Sequence, residues 1–183
     1  MDLKTLIDTP PWDWPRDAGW TLRKILVDRR ANESDRLIAA ELAGDFTVIN
    51  DELADALLMV VCSADEPDQL RARAAISLGP VLEQADTDVF EDPDDVPITE
   101  PTFRNIQDSM KKLYLDDRTP NEVRRRVLEA AVRAPETWHQ DAIKPPCEPC
   151  KFVRMVVTFV ISAARFHLPS IMGSVSLVMR HIF

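Results

Sequence analysis

Short segments of this chain recur further along it, and that constrains its fold more than any other feature. Arg36–Gly44 aligns with Arg71–Gly79 at an offset of 35 residues, and Pro67–Arg73 aligns with Pro120–Arg126 at an offset of 53. A recurring helical unit cannot bury its apolar face alone and must stack on its neighbours. The repeats therefore predict an all-α fold, an α-solenoid of antiparallel helix pairs. Solenoids mostly present surfaces rather than perform reactions, so the repeats speak to how the chain is built more than to any substrate.

Apolar periodicity and proline punctuation place the helices. The first is expected from Ala18 to about Arg30, with Trp20, Leu22, Ile25, Leu26 and Arg29 along one stripe. The second is expected from Ser34 or Asp35 to Gly44, and the third from about Asn50 to Ser63 through Leu53, Leu57, Val60 and Val61. A fourth, with Pro67 at its first position, runs through Ala74, Ala75, Leu78, Val81 and Leu82 to about Ala85, kinked or broken at Pro80. The fifth spans Pro101 to Leu115, the sixth Pro120 to Ala134, and a short seventh covers Trp138 to Ile143. Residues 86–100 carry seven acids and two prolines and read as a long acidic loop, which lengthens the second offset from 35 to 53. Ahead of the first helix, residues 1–17 form a Pro/Trp segment. Trp12 and Trp14 either cap the open end of the first pair or form an aromatic ligand-binding edge.

Charge divides the chain. Residues 1–144 hold 30 of the 31 acidic and 18 of the 22 basic side chains, whereas residues 145–183 hold one acid and four basic groups. A net charge of −9 repels phosphate backbones at long range, which disfavours nucleic acid as a general partner. The N-terminus has no basic region followed by an apolar run, and the cysteines number only three, so a cytoplasmic setting is the expectation. The tail is atypically apolar. Arg154 and Arg165 bound ten uncharged residues, against the roughly 20 needed to span a bilayer. A membrane partner is disfavoured, and residues 152–179 are the only segment suited to one. A terminal helix pair, a membrane-dipping hairpin and the product of a reading-frame change are all consistent with this tail.

From Asp68 to Gly79 the chain reads Asp-x-Leu-Arg-x-Arg-Ala-Ala-x-x-Leu-Gly. This resembles the second helix of HEAT and HEAT-like repeats. The match is partial at residues 33–44 and weaker at 121–132, where Val132 stands in place of the glycine. Covering about residues 18–143, the resemblance implies a right-handed superhelical stack whose second helices line a concave surface. It also implies a non-enzymatic scaffold for protein–protein interaction. The alternative is an enzyme or enzyme subunit on the same frame, as in certain DNA-repair glycosylases and bilin lyase subunits.

Arg36, Arg71, Arg73, Arg124 and Arg125 are the candidate partner-binding residues, since guanidinium forks suit carboxylates. Their other reading is a ladder of ion pairs within the stack, with Asp35, Asp68 or Glu122 as partners. Cys147-x-x-Cys150 has the form of a metal or redox pair but lacks a second pair to complete a tetrahedral site, and His139 or His167 would reach it only by folding back. Glu129, Glu136, His139 and Asp141 are near in sequence, but no nucleophile or glycine-rich loop accompanies them. No catalytic residue, metal or cofactor is expected, and the expected partner is a protein.

Overall fold

Asparagine and proline set most of the helix starts. The computed structural model describes the backbone of residues 3–88, 90, 96–136 and 139. All regular structure among them is helical: α1 (Leu3–Asp8), a 3-10 turn (Pro11–Asp13), α2 (Ala18–Val27), α3 (Glu33–Leu42), α4 (Asp51–Cys62), α5 (Asp68–Ser77), α6 (Gly79–Asp88), α7 (Glu100–Leu115) and α8 (Asn121–Ala131). The Asn32 side chain accepts from the Ser34 N–H and starts α3, so the cap lies ahead of the expected Ser34 or Asp35. The Asn50 side chain likewise accepts from the Leu53 N–H at 2.9 Å and opens α4. Pro67 and Pro120 stand one residue before α5 and α8 rather than inside them.

The expected fourth helix is two helices. Pro80 has no N–H, and its ring excludes the carbonyl of Ile76. The chain turns at Leu78, and α6 then continues through the first residues of the expected acidic loop. That loop is also anchored. Val96 and Ile98 are buried, and the Phe90 ring meets Phe103 edge-on with centroids 5.5 Å apart.

Helices α2, α4 and α7 pack on α3, α5 and α8 respectively. Within each set the helices are also neighbours, α2 to α4 to α7 and α3 to α5 to α8, giving two layers. The core between them is built from Leu22 and Leu26 on α2, Leu53, Leu57 and Val61 on α4, Leu70 and Ala74 on α5, and Ile106 and Met110 on α7. These recur at helical spacing, so each helix turns one stripe to its partner. Helix α5 touches α3, α4, α6 and α8. Leu70, Arg71, Ala72, Ala74, Ala75 and Ser77 are accordingly all buried, and its alanines let the neighbours approach.

Two glycines mark where successive helix pairs meet. A Cβ on Gly44 would collide with the carbonyl oxygen of Ser77 and lie 3.0 Å from the Ser77 Cα, both backbone atoms of α5. A Cβ on the equivalent Gly79 would lie 2.9 Å from Arg133 Cδ, an atom of a flexible side chain. Neither glycine has positive φ, so the requirement is space and not backbone freedom. Gly44→Ala should therefore destabilise by about 1–3 kcal/mol through overpacking. Gly79→Ala should change stability by less than about 1 kcal/mol, because Arg133 can move and alanine restricts the unfolded chain. Urea midpoints of the two variants check this, and equal losses would contradict it.

The chain divides into two compact units, Met1–Ala134 and Pro135–Phe183. The division falls ahead of the charge break at Lys144. The expected seventh helix at 138–143, the Cys147/Cys150 pair, His167 and the 145–183 tail lie outside the described residues, apart from His139.

Candidate functional site

The N-terminal segment folds back on itself through one indole. Helix α1 buries Leu6 completely and Leu3 nearly so. Trp14 Nε1 then donates to the Leu6 carbonyl at 2.9 Å and the Thr9 carbonyl at 2.8 Å, closing the end of α1 with a shared hydrogen bond. Pro10, Pro11 and Pro15 hold the intervening chain in an extended and 3-10 path, so this corner has few alternative conformations. Trp14 is thus the tryptophan that closes α1.

Trp12 and Trp20 are not. Trp12 is 76% exposed and Trp20 is 60% exposed, although periodicity assigns Trp20 to the apolar stripe of α2. The stripe is narrower than expected: Leu22 and Leu26 fill the inward face, and Trp20 falls outside it. Together with Trp14, the two exposed indoles line a cleft of about 680 Å³, with Arg16 and Arg23 on its walls and Glu52 at the start of α4. Residues 47–50 line it as well. Asp45 holds that wall in place, accepting from the Thr47 N–H at 2.9 Å and the Thr47 hydroxyl at 2.7 Å. Gly19 lets α2 approach it, since a Cβ there would sit 3.0 Å from the Val48 carbonyl oxygen. Lys24 Nζ lies 5.2 Å from the Trp20 ring centroid, a cation–π contact that steadies the exposed indole.

A second, smaller cleft of about 350 Å³ shares Pro11 and Trp14 with the first and is lined by the ends of α3 and α5, including Glu41, Arg73 and Ile76.

The arginines predicted to bind a partner are mostly used within the protein. Arg36 and Arg71 are buried. Arg36 Nε donates to the Leu26 carbonyl at 3.0 Å, and Arg71 Nε donates to the Val61 carbonyl at 3.1 Å, in each case ten residues upstream. Each thus caps the C-terminal end of the first helix of its own pair, where unsatisfied carbonyls and the helix dipole favour a cation. Arg36 also donates to Glu66 at 2.7 Å, and Arg71 Nη1 lies 3.5 Å from Asp68. Both guanidinium groups are buried and bonded within the chain, with only Arg36 Nη2 left without a hydrogen-bond partner, so neither is presented at the surface, against the expectation for Arg36 and Arg71.

Arg124, the third equivalent position, instead lies over the Tyr114 ring at 5.6 Å, again ten residues back, and 3.7 Å from Asp117. Arg73 is surface-exposed but pairs with Glu41 across α3 and α5 at 3.3 Å. Arg125 is exposed. Arg126 pairs with Glu129 at 2.7 Å and Arg133 with Glu83 at 3.5 Å. Most of the exposed arginines along this layer are therefore paired with acids, Arg125 excepted, and no unbroken positive stripe forms among the described residues.

Other sequence candidates are occupied or undescribed. His139 Nδ1 accepts from the Glu136 N–H at 2.8 Å, Glu129 is held by Arg126, and Asp141 lies outside the described residues. Among the described residues no group of three His, Cys, Asp or Glu side chains is placed to hold a metal ion. No described helix is long and apolar enough to cross a membrane.

Arg16 and Arg23 escape sequence reasoning. They are isolated charges outside any repeat, and only the meeting of the Pro10–Pro15 corner with α2 and the 47–53 segment makes them neighbours of the indoles. Compared with known proteins, the chain matches no family model, no curated protein and no solved structure.

Proposed function

We propose that this protein is a HEAT-like α-solenoid acting as a non-enzymatic scaffold, and that it binds another protein through its N-terminal end. Two features support the solenoid reading. Three helix pairs stack in sequence order into two layers, and the arginine of each second helix engages the same position ten residues back. The binding reading rests on the exposed Trp12 and Trp20 indoles beside Arg16 and Arg23. Tryptophan and arginine are the side chains that most often dominate protein–protein binding energy, and a ring this exposed gains most from being covered. The ion pairs that engage Arg73, Arg126 and Arg133 make the α3–α5–α8 face a weaker candidate.

The test is photo-crosslinking in the native host, with benzoylphenylalanine in place of Trp12 and, as a control, in place of the exposed Met59 on α4. The expected result is a discrete polypeptide adduct from position 12, absent from position 59 and lost when Trp20→Ala is added. Adducts with nucleic acid, equal adducts from both positions, or none from position 12 would overturn the reading.

A further inference from the structure

We propose that the cleft between Trp12, Trp14 and Trp20 takes an extended, proline-bearing segment of a partner protein that carries one or two carboxylates. The inference rests on the scaffold reading above and names the chemistry of its ligand. Three observations lead to it.

The first is the lining. Indole faces pack well against pyrrolidine rings, and grooves built from aromatic side chains commonly receive segments in the polyproline II conformation. Such a segment is already extended, so it loses little conformational freedom on docking. The cleft itself is stiff. Trp14 is fixed by two hydrogen bonds, the corner is held by prolines, and the opposite wall is pinned by Asp45. A preformed site favours a preformed ligand.

The second is charge. The cleft walls carry Arg16 and Arg23 against Glu52, a positive balance on a chain whose net charge is −9. Neither arginine has a carboxylate within ion-pair distance among the described residues, unlike Arg73, Arg126 and Arg133. Their guanidinium forks are left for carboxylates brought by a ligand. The acidic surface elsewhere repels a densely charged polyanion, which favours a peptide with few acids over nucleic acid.

The third is shape. The second cleft shares Pro11 and Trp14 with the first and is lined by the ends of α3 and α5. A ligand that reaches both must pass the Pro11–Trp14 corner they share, which an extended segment can do and a compact small molecule cannot.

The test uses the full chain and a synthetic decapeptide containing two Pro-Pro-Asp units, followed by tryptophan emission and by calorimetry. The same peptide with both aspartates changed to asparagine and a ten-nucleotide oligothymidylate serve as comparisons. The expected result is saturable binding of the aspartate peptide, weakened at least about tenfold by Trp20→Ala, by Arg23→Ala and by the asparagine replacement, each equivalent to about 1.4 kcal/mol. Both substituted side chains are exposed, so unchanged melting temperatures will show that the variants remain folded.

Absence of saturable binding up to millimolar peptide, or binding indifferent to Trp20→Ala and Arg23→Ala, would overturn the proposal, as would preferential binding of the oligonucleotide. The crosslinking above separates the two conclusions. A polypeptide adduct at position 12 without peptide binding would leave the scaffold standing and remove the ligand chemistry. Peptide binding without any adduct would remove the scaffold role and leave the site.

Discussion

Leu78→Ala is expected to lower stability by about 2–5 kcal/mol, since it removes a fully buried side chain and leaves a cavity. Leu78 is the residue at which α5 ends and α6 begins. Its carbonyl accepts from the Leu82 N–H at 3.2 Å, and its own N–H donates to Ala75 at 3.3 Å, so the backbone is tied on both sides. That fixed backbone limits collapse into the cavity, which places the expected loss away from the low end of the range. Ala74, Ala75, Val81 and Leu82 around it in sequence are also fully buried. The control is Met59→Ala. Met59 lies on α4 with 57% exposure, and its truncation should stay within about 0.5 kcal/mol. Urea unfolding with unchanged m-values makes the comparison clean. If both variants lost the same stability, the Leu78 side chain would not be packed in the core.

The ease with which Leu78 is picked out of the sequence shows what the repeats make legible. The helix at 50–63 was readable to within a residue because Leu53, Leu57 and Val61 follow one stripe and Asn50 is a strong cap. Val132 is instructive for the same reason. Glycine is required at 44, where a Cβ would meet the backbone of α5, and less so at 79, where it would meet chiefly the movable Arg133 side chain, so the need for it already falls along the chain before Val132. What stayed hidden has physical causes. Helix α1 is six residues long and ends against prolines, too short for a periodic signal. The direction of Arg36 and Arg71 was not readable, because a side chain that long can turn outward or fold back to a helix end with the same sequence pattern. The Trp cleft combines residues from the N-terminal corner, α2 and the 47–53 segment, and no local pattern links them. Trp20 looked like core because apolar spacing records which residues share a helix face and not how wide the covered stripe is.

Glu66→Gln should cost about 3 kcal/mol near neutral pH, the scale seen when one partner of a buried ion pair is removed. Arg36 and Glu66 are both buried, with Nη1 and Oε2 2.7 Å apart, and Arg29 approaches the other carboxylate oxygen at 3.4 Å. Glutamine keeps the volume but leaves the guanidinium without its counter-charge. The pair links α3 to the turn before α5, so its loss loosens the contact between these two helices. A cycle with Arg36→Met tests this directly. The double variant should cost about 1–3 kcal/mol less than the sum of the singles, because with both charges gone no unpaired ion remains. The pH dependence provides a second check. The hydrogen bond from Arg36 is the main influence on the Glu66 carboxyl. With the charges of Arg36 and Arg29 it outweighs burial, which acts the other way, and holds the carboxyl below the usual range. A group more acidic in the folded state leaves the unfolded chain binding more protons, so stability rises with pH through this window. The contribution is complete above the ordinary glutamate value of about 4.3 and is lost as pH falls through the lower folded value. The gap between wild type and Glu66→Gln should therefore stay constant from about pH 7 to about pH 5 and shrink below about pH 4.3. A gap as wide at about pH 3 as at about pH 7 would mean that this carboxylate does not hold α3 to the turn before α5 through its charge.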